Sequence, residues 1–191
     1  MTELLKQIFD NAHTKTEYSD RDVPEATIRA IYDKMKLAPT AFNTSPARFH
    51  FVRSAEAKKK LADCAMDGNK PRILTAPFTV IVAVDHGFAE HMPKLFPVMD
   101  IKSMMDGNPD MAKETAERNA LLQGGYFILT ARALGLDCSP MSGINREAID
   151  KAFFQGTKLK SNFIVCLGYG KPDAHYPRNP RLTFEEACKI H

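Results

Sequence analysis

The chain has 191 residues, of which 44% are hydrophobic and 26% charged, with a formal net charge of +3. These proportions are those of an ordinary folded domain and exclude an intrinsically disordered or collagen-like chain. The basic residues are dispersed, with no Lys/Arg patch interleaved with aromatics, so a nucleic-acid partner is not expected. The longest apolar run, Ala76 to Val84, is interrupted by Pro77 and Thr79 and is too short to span a bilayer, so no membrane partner is expected. The start of the chain lacks a basic stretch followed by an apolar one, which predicts a cytoplasmic protein. Cys64, Cys138, Cys166 and Cys188 form no CxxC pair, so buried free thiols are expected rather than a zinc or redox site.

In chain order, Leu4, Leu5 and Ile8 predict a short helix over residues 2–11, followed by an irregular stretch to residue 22. Pro24 starts a second helix with Ile28, Ile31 and Met35 on one face, and Pro39 ends it. Residues 38–46 read as a loop and 49–52 as a strand; Ser54 caps a third helix reaching about Met66. Phe78 to Val84 is apolar at every position, the pattern of a central strand. Residues 86–107, rich in Met and broken by Pro and Gly, read as a mobile insertion or lid.

Asn108-Pro109 opens the longest helix, which runs to about Leu134 with a heptad-like stripe of Ala112, Ala116, Asn119, Leu122, Tyr126, Leu129 and Ala133. Gly124-Gly125 costs this helix about 1 kcal/mol per glycine against alanine, so a partner or ligand should approach its backbone there. Gly135 stops it, residues 145–156 read as a helix, residues 163–167 as a strand, and the proline-rich tail from Lys171 as extended.

Three stretches carry chemistry. In residues 38–46, small residues allow close approach of a flat ligand, with Thr40 and Asn43 as hydrogen-bonding groups; the alternative is a plain turn. In Asp137 to Gly143, Ser142 and Gly143 can offer backbone N–H groups to a ring nitrogen or developing negative charge; the alternative is a connecting turn. Arg178 and Arg181 can clamp a phosphate; the alternative is a solvated surface pair. No GxGxxG, P-loop or GxSxG motif is present, and the spacing of His86 and His91 does not suit zinc.

Taken in order, the Ala38-Pro39-Thr40 and Asn43-Thr44-Ser45-Pro46 loop, Gly68-Asn69, the long helix, Gly135-Leu136-Asp137 with Pro140-Met141-Ser142-Gly143, and the Arg-containing tail resemble the nitroreductase family of FMN-dependent oxidoreductases. Glu117-Arg118-Asn119, Leu159-Lys160-Ser161-Asn162 and Pro180-Arg181-Leu182-Thr183-Phe184 resemble its malonic semialdehyde reductase branch. The resemblance implies one α+β domain over residues 1–191, with a central mostly antiparallel sheet flanked by helices. It also implies an intertwined homodimer, whose tail 171–191 reaches the partner subunit, with FMN at the interface and NADH or NADPH as hydride donor.

By position, Pro39, Thr40 and Asn43 would reach the flavin from one subunit. Asn69 would face the ring, Pro140, Met141, Ser142 and Gly143 would sit by its reactive nitrogen, and Arg178 and Arg181 would hold the phosphate. Where family members carry Arg-x-Ser-x-Arg, this chain has Ala12-His13-Thr14-Lys15-Thr16, so His13, Thr14 and Lys15 are the corresponding phosphate candidates. Ser45-Pro46-Ala47 likewise replaces Gln-Pro-Trp. The implied acceptor is a small aldehyde such as malonic semialdehyde, with Arg72 or Arg118 pairing its carboxylate. A broad nitroaromatic or quinone reductase and a non-catalytic flavin-binding protein are the alternatives.

Overall fold

The computed structural model describes residues 2–191. Its centre is β2 (Phe78–Asp85), buried along its whole length. β1 (Ala47–Val52), β2, β4 (Leu159–Gly168) and β3 (Asp137–Met141) lie in the order β1-β2-β4-β3, every pair antiparallel. Val80 stands opposite Phe51 on one side and Val165 on the other, and a register shift between Val82 and Ala83 bends the β2–β4 ladder.

Alternation along β2 sends its side chains to two cores. Phe78, Val80 and Val82 pack with Ile28, Ile31 and Met35 of α2 (Glu25–Met35) and with Phe127 and Ala131 of α7 (Pro109–Ala133). Ile81 and Ala83 face the other way, toward α3 (Ala55–Ala62), α4 (Lys70–Thr75) and α8 (Arg146–Phe153), where Leu61, Ile73 and Ile149 are fully buried. The expected α+β architecture, a mostly antiparallel sheet between helical layers, is therefore present. The chain starts with α1 (Glu3–Leu5), which widens into a π-helical turn, Lys6–Asp10.

Several boundaries and one whole segment differ from expectation. Residues 86–107 are a packed unit, with a 3-10 turn at Phe88–His91, α5 (Met92–Leu95) and α6 (Ile101–Asp106). Phe88 with Met92 and Ile101 with Met105 sit one helical turn apart and are nearly fully buried against Ala116 and Ala120 of α7. The methionines fill an irregular gap instead of marking a lid.

The buried stripe of α7 also differs: Ala116, Ala120, Gln123, Phe127 and Ala131 face inward, whereas Leu122 and Leu129 are exposed. At Gly124 the close approach comes from within the chain. A Cβ there would lie 2.6 Å from the Phe163 ring, so the glycine lets α7 close onto β4, while Gly125 faces open space. Asp137 to Met141, expected as a turn, pairs with β4 as an edge strand. Of the thiols, Cys138 and Cys166 are buried, Cys64 is half-buried and Cys188 is exposed. From Lys171 the tail is irregular except for α9 (Phe184–Ala187), opened by a Thr183–Glu186 capping box.

Candidate cofactor site

The tail folds back along the start of the chain. Lys15 bridges His175 and Tyr18 bridges Gly170, while Thr16 N–H donates to the Ala174 carbonyl at 2.7 Å. Gly170 is needed where the Lys15 stem crosses it, because any Cβ would overlap that stem. Buried Tyr18 donates to Ser139 Oγ at 2.9 Å or to the Cys166 carbonyl at 3.0 Å, and Ser139 in turn donates to the Lys15 carbonyl. Burial pushes the Tyr18 phenol far up, so it stays a neutral donor. This polar relay fixes the segment around His13 to β3.

The fold-back encloses a cavity of about 390 Å³ lined by His13, Thr14, Arg132, Arg178 and Arg181, among others. Arg178 Nη2 donates to the carbonyls of Phe9, Asp10 and Ala12 at 2.8–3.0 Å, which closes the C-terminal end of the first helical segment. Arg181 donates to the carbonyls of Asn179 and Pro180, and Arg132 Nη1 to that of Ile8 at 3.2 Å. Among the described residues none of the three meets a carboxylate, and Arg132 Nε is buried without a partner.

The His13 ring stacks on His175 with centroids 3.9 Å apart. Desolvation, then the charges of His175, Arg178, Lys15 and Arg132, hold its imidazole below the usual range. A cavity walled by guanidinium groups without acidic partners suits a phosphate. Lys15 is held elsewhere: its ammonium donates to the carbonyls of Lys171 and Pro172 at 3.0 and 2.8 Å, away from the cavity lining.

A second corner joins Asn69 to the end of β3. Asn69 Nδ2 and Met66 N–H both donate to the Gly143 carbonyl at 3.0 Å. A Cβ on Gly143 would lie 2.7 Å from Asn69 Nδ2, so the contact requires glycine. Pro140 and Ser142 are exposed beside it, while Met141 is buried in the core. Arg72 follows Asn69 on α4, half-buried and without a carboxylate partner among the described residues.

The loop Pro39 to Pro46 forms the third part. Phe42, Asn43 and Ser45 have φ of 49°, 55° and 40°, a left-handed conformation that costs roughly 1–2 kcal/mol at a non-glycine residue. Polar groups of α7 hold it there: Asn119 Oδ1 accepts from Ala41 N–H and Gln123 Oε1 from Ala47 N–H, both at 2.8 Å, while the Tyr126 hydroxyl donates to the Pro39 carbonyl. Within the loop Thr40 Oγ1 accepts from Ser45 N–H, and Asn43 Nδ2 reaches the Leu95 carbonyl at 2.9 Å. Among the described residues no hydrogen bond joins this loop to the Asn69–Gly143 corner. Arg118 lies exposed on α7, ion-paired with Glu114, as its helical spacing allows.

Sequence reasoning missed Arg132 as a cavity residue, His175 as the stacking partner of His13, and Asn119 and Gln123 as supports of the loop. Arg132 has the position of an ordinary cation completing a helix C-terminus, and the two amides look like polar interruptions of an apolar stripe. A more apolar concavity, of about 480 Å³, lies between α2 and β1 around Tyr32, Phe51 and Phe78 and contains none of the predicted residues.

Residues 11–169 match the profile of the nitroreductase family. Over 189 residues the chain is 52% identical to a Caulobacter sp. (strain K31) protein provisionally named an NADH dehydrogenase/NAD(P)H nitroreductase, covering 99% of this chain and 97% of that one. A Stutzerimonas stutzeri (strain A1501) protein of the same provisional name is 50% identical over 186 residues, covering 97% and 95% of the two chains. Among solved structures, a nitroreductase from Exiguobacterium sibiricum in complex with FMN superposes with a TM-score of 0.82 at 20% identity, over 100% of this chain and 98% of that one. The motif order read from the sequence, the four-stranded antiparallel fold and a profile match spanning most of the chain agree, and the chain belongs to the nitroreductase family.

Proposed function

We propose that the protein is an FMN-dependent NAD(P)H oxidoreductase that reduces a small aldehyde of the malonic semialdehyde type to the corresponding hydroxy acid. The observation that carries the cofactor reading is the cavity walled by Arg132, Arg178 and Arg181 without carboxylate partners, together with the Asn69–Gly143 corner. The names of the relatives and the FMN held by one structural neighbour support it. The semialdehyde rests on the motif resemblance and on half-buried Arg72, a cation without a carboxylate partner among the described residues.

FMN, once bound, would supply hydride transfer between NAD(P)H and the acceptor carbonyl, and a proton from solvent would complete the hydroxyl. The chain's residues bind and orient. Arg178, Arg181, His13 and Thr14 hold the phosphate end, Asn69 and the Pro140 to Gly143 segment line the ring edge, and Pro39, Thr40 and Asn43 form a wall facing it. Arg72 pairs the acceptor carboxylate, whose burial without a cation would be prohibitive. Arg118 is the weaker alternative, because Glu114 already pairs it.

Exposed Leu121, Leu122 and Leu129 on α7, with Leu182 and Phe184 on the tail, offer the apolar surface that a homodimer would cover; of the tail 171–191, the part to Arg181 packs on its own chain and the remainder would reach the partner. Among the described residues no helix is long and apolar enough to cross a membrane. The relatives' names favour a second reading, a nitroaromatic or quinone reductase.

An absorbance scan of the purified protein, followed by NADPH addition, tests the reading. A flavin spectrum that bleaches supports the oxidoreductase, and one that does not bleach supports a flavin-binding protein without catalysis. Arg72→Met should raise KM for the semialdehyde while sparing quinone reduction. Equal losses on both acceptors would remove Arg72 from the acceptor site, and no semialdehyde turnover by the parent favours the second reading.

A further inference from the structure

The geometry points to Arg132, assisted by the stacked His13–His175 pair, as the residue that makes this site select a phosphorylated flavin over an unphosphorylated one. The inference rests on the flavin reading above. Arg132 stands in the last turn of α7 and is docked against the first helical segment: Gln7 Nε2 donates to its carbonyl at 2.7 Å, and its Nη1 returns a bond to Ile8. Stapling the two segments together uses one of the five N–H donors that a guanidinium carries.

Among the described residues its buried Nε has no acceptor, and its side chain lines the cavity that Arg178 and Arg181 enter from the tail. Arg178 and Arg181 also spend their recorded bonds on carbonyls through a single nitrogen each, so both keep free donors. A purely structural arginine would end on a carboxylate or on a full set of carbonyls; an orphaned buried donor beside two further unneutralised cations leaves an anion's place open.

The arrangement also selects the kind of anion. The three guanidinium groups come from two parts of the chain, the end of α7 and the tail, and the His13 imidazole, stacked on His175 of the tail, comes from a third, the start of the chain. A planar carboxylate offers two oxygens in one plane, whereas a phosphate monoester presents three terminal oxygens in three directions, matching donors that converge from several sides. Burying a phosphate against cations that have no other counter-charge brings charge-assisted bonds, and riboflavin, which ends in a hydroxyl, cannot form them.

Flavin fluorescence titrations with FMN, riboflavin and inorganic phosphate test this without any turnover. The parent should bind FMN at least about a hundredfold more tightly than riboflavin, and inorganic phosphate should compete with FMN but not with riboflavin. Arg132→Gln should raise the FMN dissociation constant about tenfold or more and leave that of riboflavin unchanged. If Arg132→Gln fails to fold, Arg132→Lys, which keeps the cation but lacks the Nε–H, should still lose at least about threefold of the preference. A preference unchanged by substitution, or equal losses for both flavins, would overturn the inference. Equal binding of FMN and riboflavin by the parent overturns it and spares the flavin reading, whereas binding of neither flavin overturns both.

Discussion

The tail-side cavity and the Pro39 to Pro46 loop are built on opposite principles. The cavity is assembled from positions far apart in sequence, His13, Arg132, Arg178 and Arg181, and it concentrates positive charge. The loop is local and carries no charged residue. Three left-handed non-glycine residues give it its shape, and the amides of α7 maintain that shape. One region is suited to recognise an anion through charge, at a strength that salt should weaken, and the other to present a fixed backbone wall. Damage to the first should therefore appear in cofactor affinity, and damage to the second in stability and fit.

The largest separation is expected from deleting residues 171–191. This removes two of the three arginines, His175 and the carbonyls that hold Lys15, while leaving the loop and its α7 contacts in place. Flavin and dimer should be lost together, read by visible absorbance and sedimentation. A truncated chain that remains a flavin-loaded dimer would contradict the division of labour.

A finer cut compares the two tail arginines. Each lost charge-assisted bond to a phosphate is worth about 1.5–3 kcal/mol, so Arg178→Ala and Arg181→Ala should each raise the FMN dissociation constant tenfold or more. Only Arg178→Ala should also lower Tm, because only Arg178 ties the tail to the carbonyls of Phe9, Asp10 and Ala12. Arg181 bonds only its own neighbours, and a matching loss of Tm on its substitution would show that the cavity is a structural clasp.

On the loop side, Ser45→Gly keeps the backbone bond to Thr40 and removes the left-handed penalty at φ 40°. Stability in urea should rise by about 1 kcal/mol or less, since the added freedom of the unfolded chain offsets part of the relief. A clear destabilisation would mean that the Ser45 side chain, rather than the backbone, is what the loop needs.

The smallest effect concerns pH. The folded protein holds the His13 imidazole below its ordinary 6.5, so the unfolded chain binds that proton first as pH falls. Stability should drop as pH passes down through the unfolded value and level off below the folded one. FMN or inorganic phosphate, by supplying the opposing charge, should lessen the drop. His13→Asn should flatten this dependence in urea titrations at a series of pH values, and an unaltered slope would assign the effect to other groups.

Much of this fold was legible in the sequence because its signals are local. The uninterrupted apolar run of β2 marked a strand covered on both faces, Pro24 and Pro39 bracketed α2, and Asn108 and Gly135 bounded α7. The segment 86–107 was misread because its apolar pairs sit between prolines and glycines, which look like breakers until α7 is there to receive them. Asp137 to Met141 was misread because an edge strand containing proline has no pattern of its own and exists through pairing with β4.

For the site, residue types and their order in the chain were enough to nominate Thr40, Asn43, Asn69, Gly143, Arg178 and Arg181. Tertiary structure alone brought Arg132 into a cavity with Arg178 and turned Lys15 away toward the tail carbonyls, whereas the helical pair of Arg118 with Glu114 is local. The physical reason is the range of the forces involved. Turn chemistry and apolar periodicity act over a few residues and are written along the chain. Lys15 and Arg132 each end on a carbonyl more than a hundred positions away, and only folding decides which groups arrive there.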